Sequence, residues 1–241
     1  MSTETSLQPA TLRSFRALFG ETVRLYRTHF FALMGFAGWL ALPLAVTVVL
    51  RVTFGDVPAI DTALLVVSGV SVAIATWSYC HIARFAAYVH EHGKPYDQLP
   101  DVGRALLPVF LTFLVYGIVV LIGASLVIPA LLFAVWFAFA PLAVALHGRG
   151  VFAGLSESRE LVRGRFFRIA GRLWSMDVLF VLIYIAVVIA IDLTLGYDVA
   201  HLDITAPLPV PMDILLCIFE ILAVPFIVVY RTLLYLSAKN G

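Results

Sequence analysis

The chain predicts an all-α membrane protein of six transmembrane helices with two amphipathic interfacial helices and both termini cytoplasmic. Three observations carry that prediction. Of 241 residues, 62% are apolar and only 13% are charged, against about 45–50% and about 25% in a soluble domain. The apolar residues fall in long unbroken runs, which excludes the roughly ten-residue alternating segments of an outer-membrane barrel. Finally, the basic residues segregate to one side of those runs.

Residues 1–10 read as a flexible N-terminus and 11–238 as a single polytopic domain. The first element, 11–29, is amphipathic rather than spanning. Arg13, Arg16, Arg24 and Arg27 recur at helical spacing and form one stripe, while Leu12, Phe15, Phe19 and Tyr26 line another face. A basic face beside an aromatic one is the pattern of a helix lying in the membrane interface. The six spans follow at about 30–52, 63–88, 105–121, 130–147, 173–195 and 213–236. Each satisfies its own backbone hydrogen bonds only as a helix. The first lies behind an Arg-bearing segment and is too long for a signal h-region, so it reads as an uncleaved anchor. Spans 3 and 4 are short and joined through the uncharged stretch 123–129, a tight hairpin. A second amphipathic segment, 151–172, carries an apolar stripe and the basic residues Arg163, Arg165, Arg168 and Arg172. Glu157 and Glu160 are spaced to pair with Arg159 and Arg163 on that helix, and Gly164 marks a bend toward span 5.

Shifted by 136 positions, the first amphipathic segment overlays the second. Glu21 falls on Glu157, Leu25 on Leu161, Arg27 on Arg163 and Phe30-Phe31 on Phe166-Phe167. This suggests a repeated unit of amphipathic helix plus hairpin, in parallel orientation.

Counting Lys and Arg near the span ends sets the orientation. One side receives 15 of the 16 basic residues, leaving Arg51 alone on the other with Asp56, Asp61, Asp192, Asp198, Asp203 and Asp213. The basic side is therefore expected to be cytoplasmic in a bacterial-type inner membrane, where anionic lipid attracts each nearby Lys or Arg by about 1 kcal/mol.

The stretch 129–173 reads PALLFAVWFAFAPLAVALHGRGVFAGLSESRELVRGRFFRIAGRL. It resembles the membrane domain of the glycerophosphoryl diester phosphodiesterase family and its stand-alone relatives. The likeness lies in a proline-led aromatic span, a glycine-containing turn, and Ser158, Leu161, Val162, Arg163, Gly164, Phe166 and Phe167 behind it. The fused members carry their activity on a separate soluble barrel of about 250 residues, for which this chain has no room. The resemblance therefore implies a membrane module without the enzyme.

Catalytic patterns are missing. The two cysteines, Cys80 and Cys217, sit inside apolar runs and make no CxxC pair. The histidines form no HExxH or other ligand spacing on one helix face, and Gly148, Gly150 and Gly154 do not make a phosphate loop. No cofactor, metal or nucleic-acid partner is expected. Polar candidates remain within the spans. Glu220 lies inside span 6, where a carboxylate costs about 3 kcal/mol to insert and so faces a bundle interior; a hydrogen-bonded structural carboxyl is the simplest reading. Trp77, His81, Arg84 and Tyr88 lie along one face of span 2. Arg84 is placed either to snorkel to the interface or to meet a phosphate headgroup. The prolines at 43, 108, 129, 141 and 225 predict kinks whose freed carbonyls need partners.

The function expected is non-enzymatic: docking or organising anionic lipid of the phospholipid bilayer, or a membrane partner, through the arginine-striped helices. The alternative is a transporter subunit working with a separate ATPase; a phosphodiesterase is the other protein partner the resemblance suggests. Lipid chemistry using Glu220 and His81 has no motif behind it.

Overall fold

The computed structural model of the chain describes residues 12–54, 58–96, 101–124, 126–195 and 210–240. These residues are helical almost throughout. The helices are α1 (Phe15–Thr28), α2 (Phe30–Ala37), α3 (Ala41–Phe54), α4 (Pro58–His92), α5 (Gly103–Ala124), α6 (Val127–Trp136), α7 (Ala140–His147), α8 (Val151–Val162), α9 (Phe166–Leu195) and α10 (Val210–Lys239). A short 3-10 turn, Gly38–Leu40, joins α2 to α3. Six stretches are long and apolar enough to cross a membrane: Phe30–Phe54, Thr62–His92, Gly103–Ala124, Val127–His147, Phe166–Ile191 and Ile214–Lys239. The chain is a multi-pass membrane protein by this measure. Among the acidic residues expected on the far side, Asp56, Asp198 and Asp203 lie outside the described residues, as do the side chains of Arg51, Asp61, Asp192 and Asp213.

α4 and α10 form the centre. α10 packs on α4, α1, α2, α3 and α9, and α4 also meets α3, α5 and α7. With 35 residues, α4 is about 50 Å long, well beyond the roughly 30 Å of a hydrocarbon core. Its last turns lie in a bundle end that also holds α1 and α8.

At this end the packing is dense. Leu18, Leu33, Ile82, Phe139, Leu142, Ile169, Tyr230 and Tyr235 are wholly buried in one continuous core. The two ends of the described chain meet there: the Arg13 amide donates to Ser237 Oγ at 3.0 Å. The end is also basic, since Arg13, Arg16, Arg163, Arg165, Arg168 and Lys239 all belong to it.

The prolines divide by position. Pro43, Pro129 and Pro141 fall in the first turns of α3, α6 and α7, where a missing N–H costs nothing. Pro108 and Pro225 lie inside α5 and α10. In the turn that Pro225 opens, the Leu222 carbonyl accepts from the Tyr26 hydroxyl of α1 at 2.9 Å.

Span 4 is interrupted at 137–139, and the interruption is closed from outside. Ser158 of α8, wholly buried, accepts from the Phe139 amide at 3.1 Å and donates to the Trp136 carbonyl at 2.7 Å. One side chain thus satisfies two of the backbone groups that the break leaves open, and the Tyr116 hydroxyl takes a third, the Ala134 carbonyl, at 3.3 Å. α8 comes close enough because Gly154 has no side chain. A Cβ there would sit 2.5 Å from Val144 Cγ2 and 3.1 Å from the Ala140 carbonyl.

Candidate functional site

The first amphipathic helix is shorter than its spacing suggests. α1 begins at Phe15, capped by Ser14 Oγ accepting from the Ala17 amide, so Arg13 precedes the helix and is turned into an ion pair with Glu21. Glu21 also bonds His90 Nδ1 at 2.8 Å, tying α1 to the end of α4. The aromatic face is occupied by protein. Phe15 meets Tyr230, and Phe19 and Tyr26 both meet Phe226, with ring centroids 5.4–6.0 Å apart. From Arg13 at Ser237 to Tyr26 at Leu222, α1 runs antiparallel along α10. The expected burial of this face in the acyl boundary is replaced by burial against a neighbouring helix. What remains outward are Arg16, Arg24 and Arg27, all exposed. Burial raises the pKa of the Tyr26 phenol, so its proton stays available to the Leu222 carbonyl.

The second segment, 151–172, is divided at the bend expected at Gly164 rather than running as one amphipathic helix. α8 stops at Val162, Gly164 takes a left-handed φ of +75°, and Phe166 opens the long α9. A left-handed residue ends a helix, and glycine adopts it without Cβ strain. The break divides the basic residues by role. The Arg165 guanidinium donates to the Ala238 carbonyl at 3.1 Å, and Arg172 donates to the Leu12 carbonyl at 3.1 Å. These two arginines tie down both ends of the described chain. Arg163 and Arg168 are exposed. Nor do Glu157 and Arg159 pair as their spacing suggests. Glu157 accepts from the Tyr235 hydroxyl at 2.7 Å and pairs with Arg149 at 2.9 Å, whereas the Arg159 guanidinium lies over the Trp136 ring, 5.5 Å from its centroid.

Neither placement expected for Arg84 is found. Its Nε donates to the Ala145 carbonyl at 2.7 Å and its Nη1 to the Asp101 carbonyl at 2.6 Å. The first of these is a last-turn carbonyl of α7, where a cation is favoured by the helix dipole. Arg84 therefore joins α4, α7 and the start of α5. It also borders a cleft of about 580 Å³ with Tyr88, Tyr96 and His147. His147 accepts from the Lys239 ammonium through Nε2 at 2.7 Å. Burial raises the Tyr96 phenol above its ordinary value, partly offset by Arg84.

Trp77 and His81 pack inward. Their rings are 4.4 Å apart, and His81 stacks on Phe36 at 5.2 Å and 9°. The four residues therefore do not form one face: Trp77 and His81 belong to an aromatic cluster, Arg84 to a helix end, and Tyr88 stacks on His92.

Glu220 differs from the simple expectation in the other direction. It is exposed on α10, borders a groove of about 600 Å³ between α3, α4, α9 and α10, and makes no hydrogen bond or ion pair among the described residues. His81 does not border this groove. Nothing in sequence spacing could have found the groove, because its walls come from four separated segments.

Two matched surface features do follow from the sequence repeat. Arg27-Thr28-His29-Phe30-Phe31 and Arg163-Gly164-Arg165-Phe166-Phe167 share the pattern Arg-x-x-Phe-Phe, and each opens a spanning segment. In both, the two phenylalanines meet edge to face, with centroids 5.7 and 5.4 Å apart. Phe166 packs on the core and Phe30 meets the Tyr26 ring, whereas the second ring of each pair is thrust outward: Phe31 is 89% exposed and Phe167 86%. The wider repeat does not extend to packing. α1 lies on α10, whereas α8 lies on α7, α5 and α6.

Compared with family models, curated proteins and solved structures, the chain matches none.

Proposed function

We propose that this chain is a non-enzymatic protein of a bacterial-type cytoplasmic membrane that docks anionic phospholipid at its basic end, with both termini on the cytoplasmic side. The observation that supports this reading is the twin Arg-x-x-Phe-Phe feature. At each site an exposed arginine stands four residues before a phenylalanine that no neighbour covers, at the start of a span. The ring suits the boundary between headgroups and acyl chains. The guanidinium can take a phosphate through two parallel hydrogen bonds. Arg16, Arg24 and Arg168 add exposed positive charge on the same end, and Phe152, 81% exposed at the start of α8, adds a third ring. The bias of Lys and Arg to this end supports the cytoplasmic side. The membrane-domain resemblance of 129–173 is in keeping with a module that works without a soluble barrel.

The test is lipid retention. Purified protein in a neutral detergent, offered equal phosphatidylglycerol and phosphatidylcholine, should keep the anionic lipid in native mass spectrometry. At about 1 kcal/mol per arginine, Arg27→Gln with Arg163→Gln should weaken that retention about thirtyfold. Equal retention by the wild type and the double variant would remove the reading.

A further inference from the structure

The groove around Glu220 lies in the half of the molecule away from the basic end. Its walls are largely apolar: Leu40 and Leu44 before and within α3, Val72 of α4, and Leu216, Ile221 and Val224 of α10. Thr47, Ser71, Tyr184 and Glu220 break that surface. The Ser71 hydroxyl already donates to the Val67 carbonyl of its own helix at 2.8 Å, so it turns only lone pairs to the groove. Tyr184 contributes an aromatic ring, held by Phe219 at 5.9 Å. Among the described side chains, Glu220 has no cation beside it.

These groups share one sign. A carboxylate and hydroxyl lone pairs accept hydrogen bonds, and an aromatic face attracts cations. A carboxylate in apolar surroundings is costly unless it is paired. The nearest arginine pair on α10, Arg231 with Asp177 at 2.9 Å, is already made and lies three turns toward the basic end. No described side chain supplies Glu220 with a counter-charge. An occupant that offsets the cost carries several N–H donors and a positive charge on a body apolar enough to enter between α3 and α10. Pockets of this size hold small molecules through apolar walls and a few placed polar groups.

We infer that the groove binds an amphiphile bearing an ammonium group, with the ammonium on Glu220 and the hydrocarbon along α3 and α4. Such a group is available either as the headgroup amine of a bilayer lipid or as a free lipophilic amine. The site is separate from the basic end, and it does not depend on anionic lipid binding there.

The experiment is competition among probes of equal chain length. Full-length protein in a neutral detergent is mixed with dodecylamine, dodecanoic acid and dodecanol, and retained molecules are weighed by native mass spectrometry. Dodecylamine should be retained over the other two. Glu220→Gln should lower its retention about tenfold or more, the factor expected for losing a hydrogen bond to a charged group. The variant Arg27→Gln with Arg163→Gln should leave it unchanged. In the Arg27→Gln with Arg163→Gln variant, which removes the anionic-lipid contribution of the basic end, phosphatidylethanolamine retained over phosphatidylglycerol only with Glu220 intact would identify the bilayer as the source; dodecylamine retained alone would identify a free amine. Equal retention of all three dodecyl probes, or undiminished retention in the Gln variant, would overturn the inference. Should that variant fail to fold, dicyclohexylcarbodiimide labelling of wild-type Glu220 decides it. Dodecylamine should slow the labelling and dodecanoic acid should not; no slowing by the amine overturns the assignment.

Discussion

The two halves of this bundle are built on different principles. At the basic end α1, α4, α7, α8 and α10 bury whole side chains such as Leu18, Leu142 and Tyr235, and Arg13, Arg84, Arg165 and Arg172 are tied to a backbone carbonyl or a carboxylate while Arg16, Arg24, Arg27, Arg163 and Arg168 stay exposed. In the opposite half, among the described residues, Leu65, Val66, Leu121 and Leu182 stay exposed, the buried cluster shrinks to Ile191, Met212 and Leu216, and Glu220 makes no ion pair. Inside a bilayer, lipid tails are as apolar as leucine and exert no pressure to bury one apolar face against another. The dense half differs in carrying polar groups such as Ser158, Arg172 and Tyr230, whose bonds between segments draw its helices together. The dense half can hold a shape, while the sparse half has room for a groove.

Paired substitutions sharpen this contrast. The largest effect should come from truncating buried leucines. Leu142→Ala at the basic end should cost about 2–5 kcal/mol, as for a filled core site. Leu182→Ala, at a position 59% exposed, should change stability by less than about 0.5 kcal/mol. Unfolding by SDS, followed by circular dichroism, measures both; similar costs would erase the distinction between the halves.

A smaller difference is expected from two serines. Ser158→Ala strands the Phe139 amide and the Trp136 carbonyl in a buried site, a loss of about 1–3 kcal/mol. Ser68→Ala removes only a hydroxyl bonded to the Leu64 carbonyl of its own helix, and should be nearly silent. If the two variants unfold alike, Ser158 does not hold the break in span 4.

The smallest effect is a pH dependence at the basic end. Burial raises the Tyr96 phenol, so folding favours its neutral form. That contribution is complete below about pH 10 and is lost as pH rises through the folded value. Wild-type stability should therefore fall relative to Tyr96→Phe above about pH 10, and parallel curves from pH 8 to 11 would show that Tyr96 is not the group responsible.

How much of this was legible beforehand depends on the range of the interaction. The six spanning helices follow from composition and from runs of local hydrophobicity, because a membrane helix satisfies its backbone within its own segment. The twin Arg-x-x-Phe-Phe features were visible as a repeat for the same reason: each is five consecutive residues at a helix start. The fates of individual arginines were not visible. Arg16, Arg165 and Arg172 look alike in spacing, yet one is exposed while the others reach the Ala238 and Leu12 carbonyls. Such bonds join residues up to 160 positions apart, a distance over which local periodicity carries no signal.

By itself, then, the sequence determined a six-helix membrane chain with a one-sided distribution of positive charge, since both are sums over local composition. Tertiary structure decided which charges are spent and which are left over. It laid the aromatic face of α1 on α10 rather than on lipid, turned Arg84 into a clasp on α7, and opened a groove at Glu220. Each of those outcomes needs a partner from a distant segment, and only packing brings such partners together.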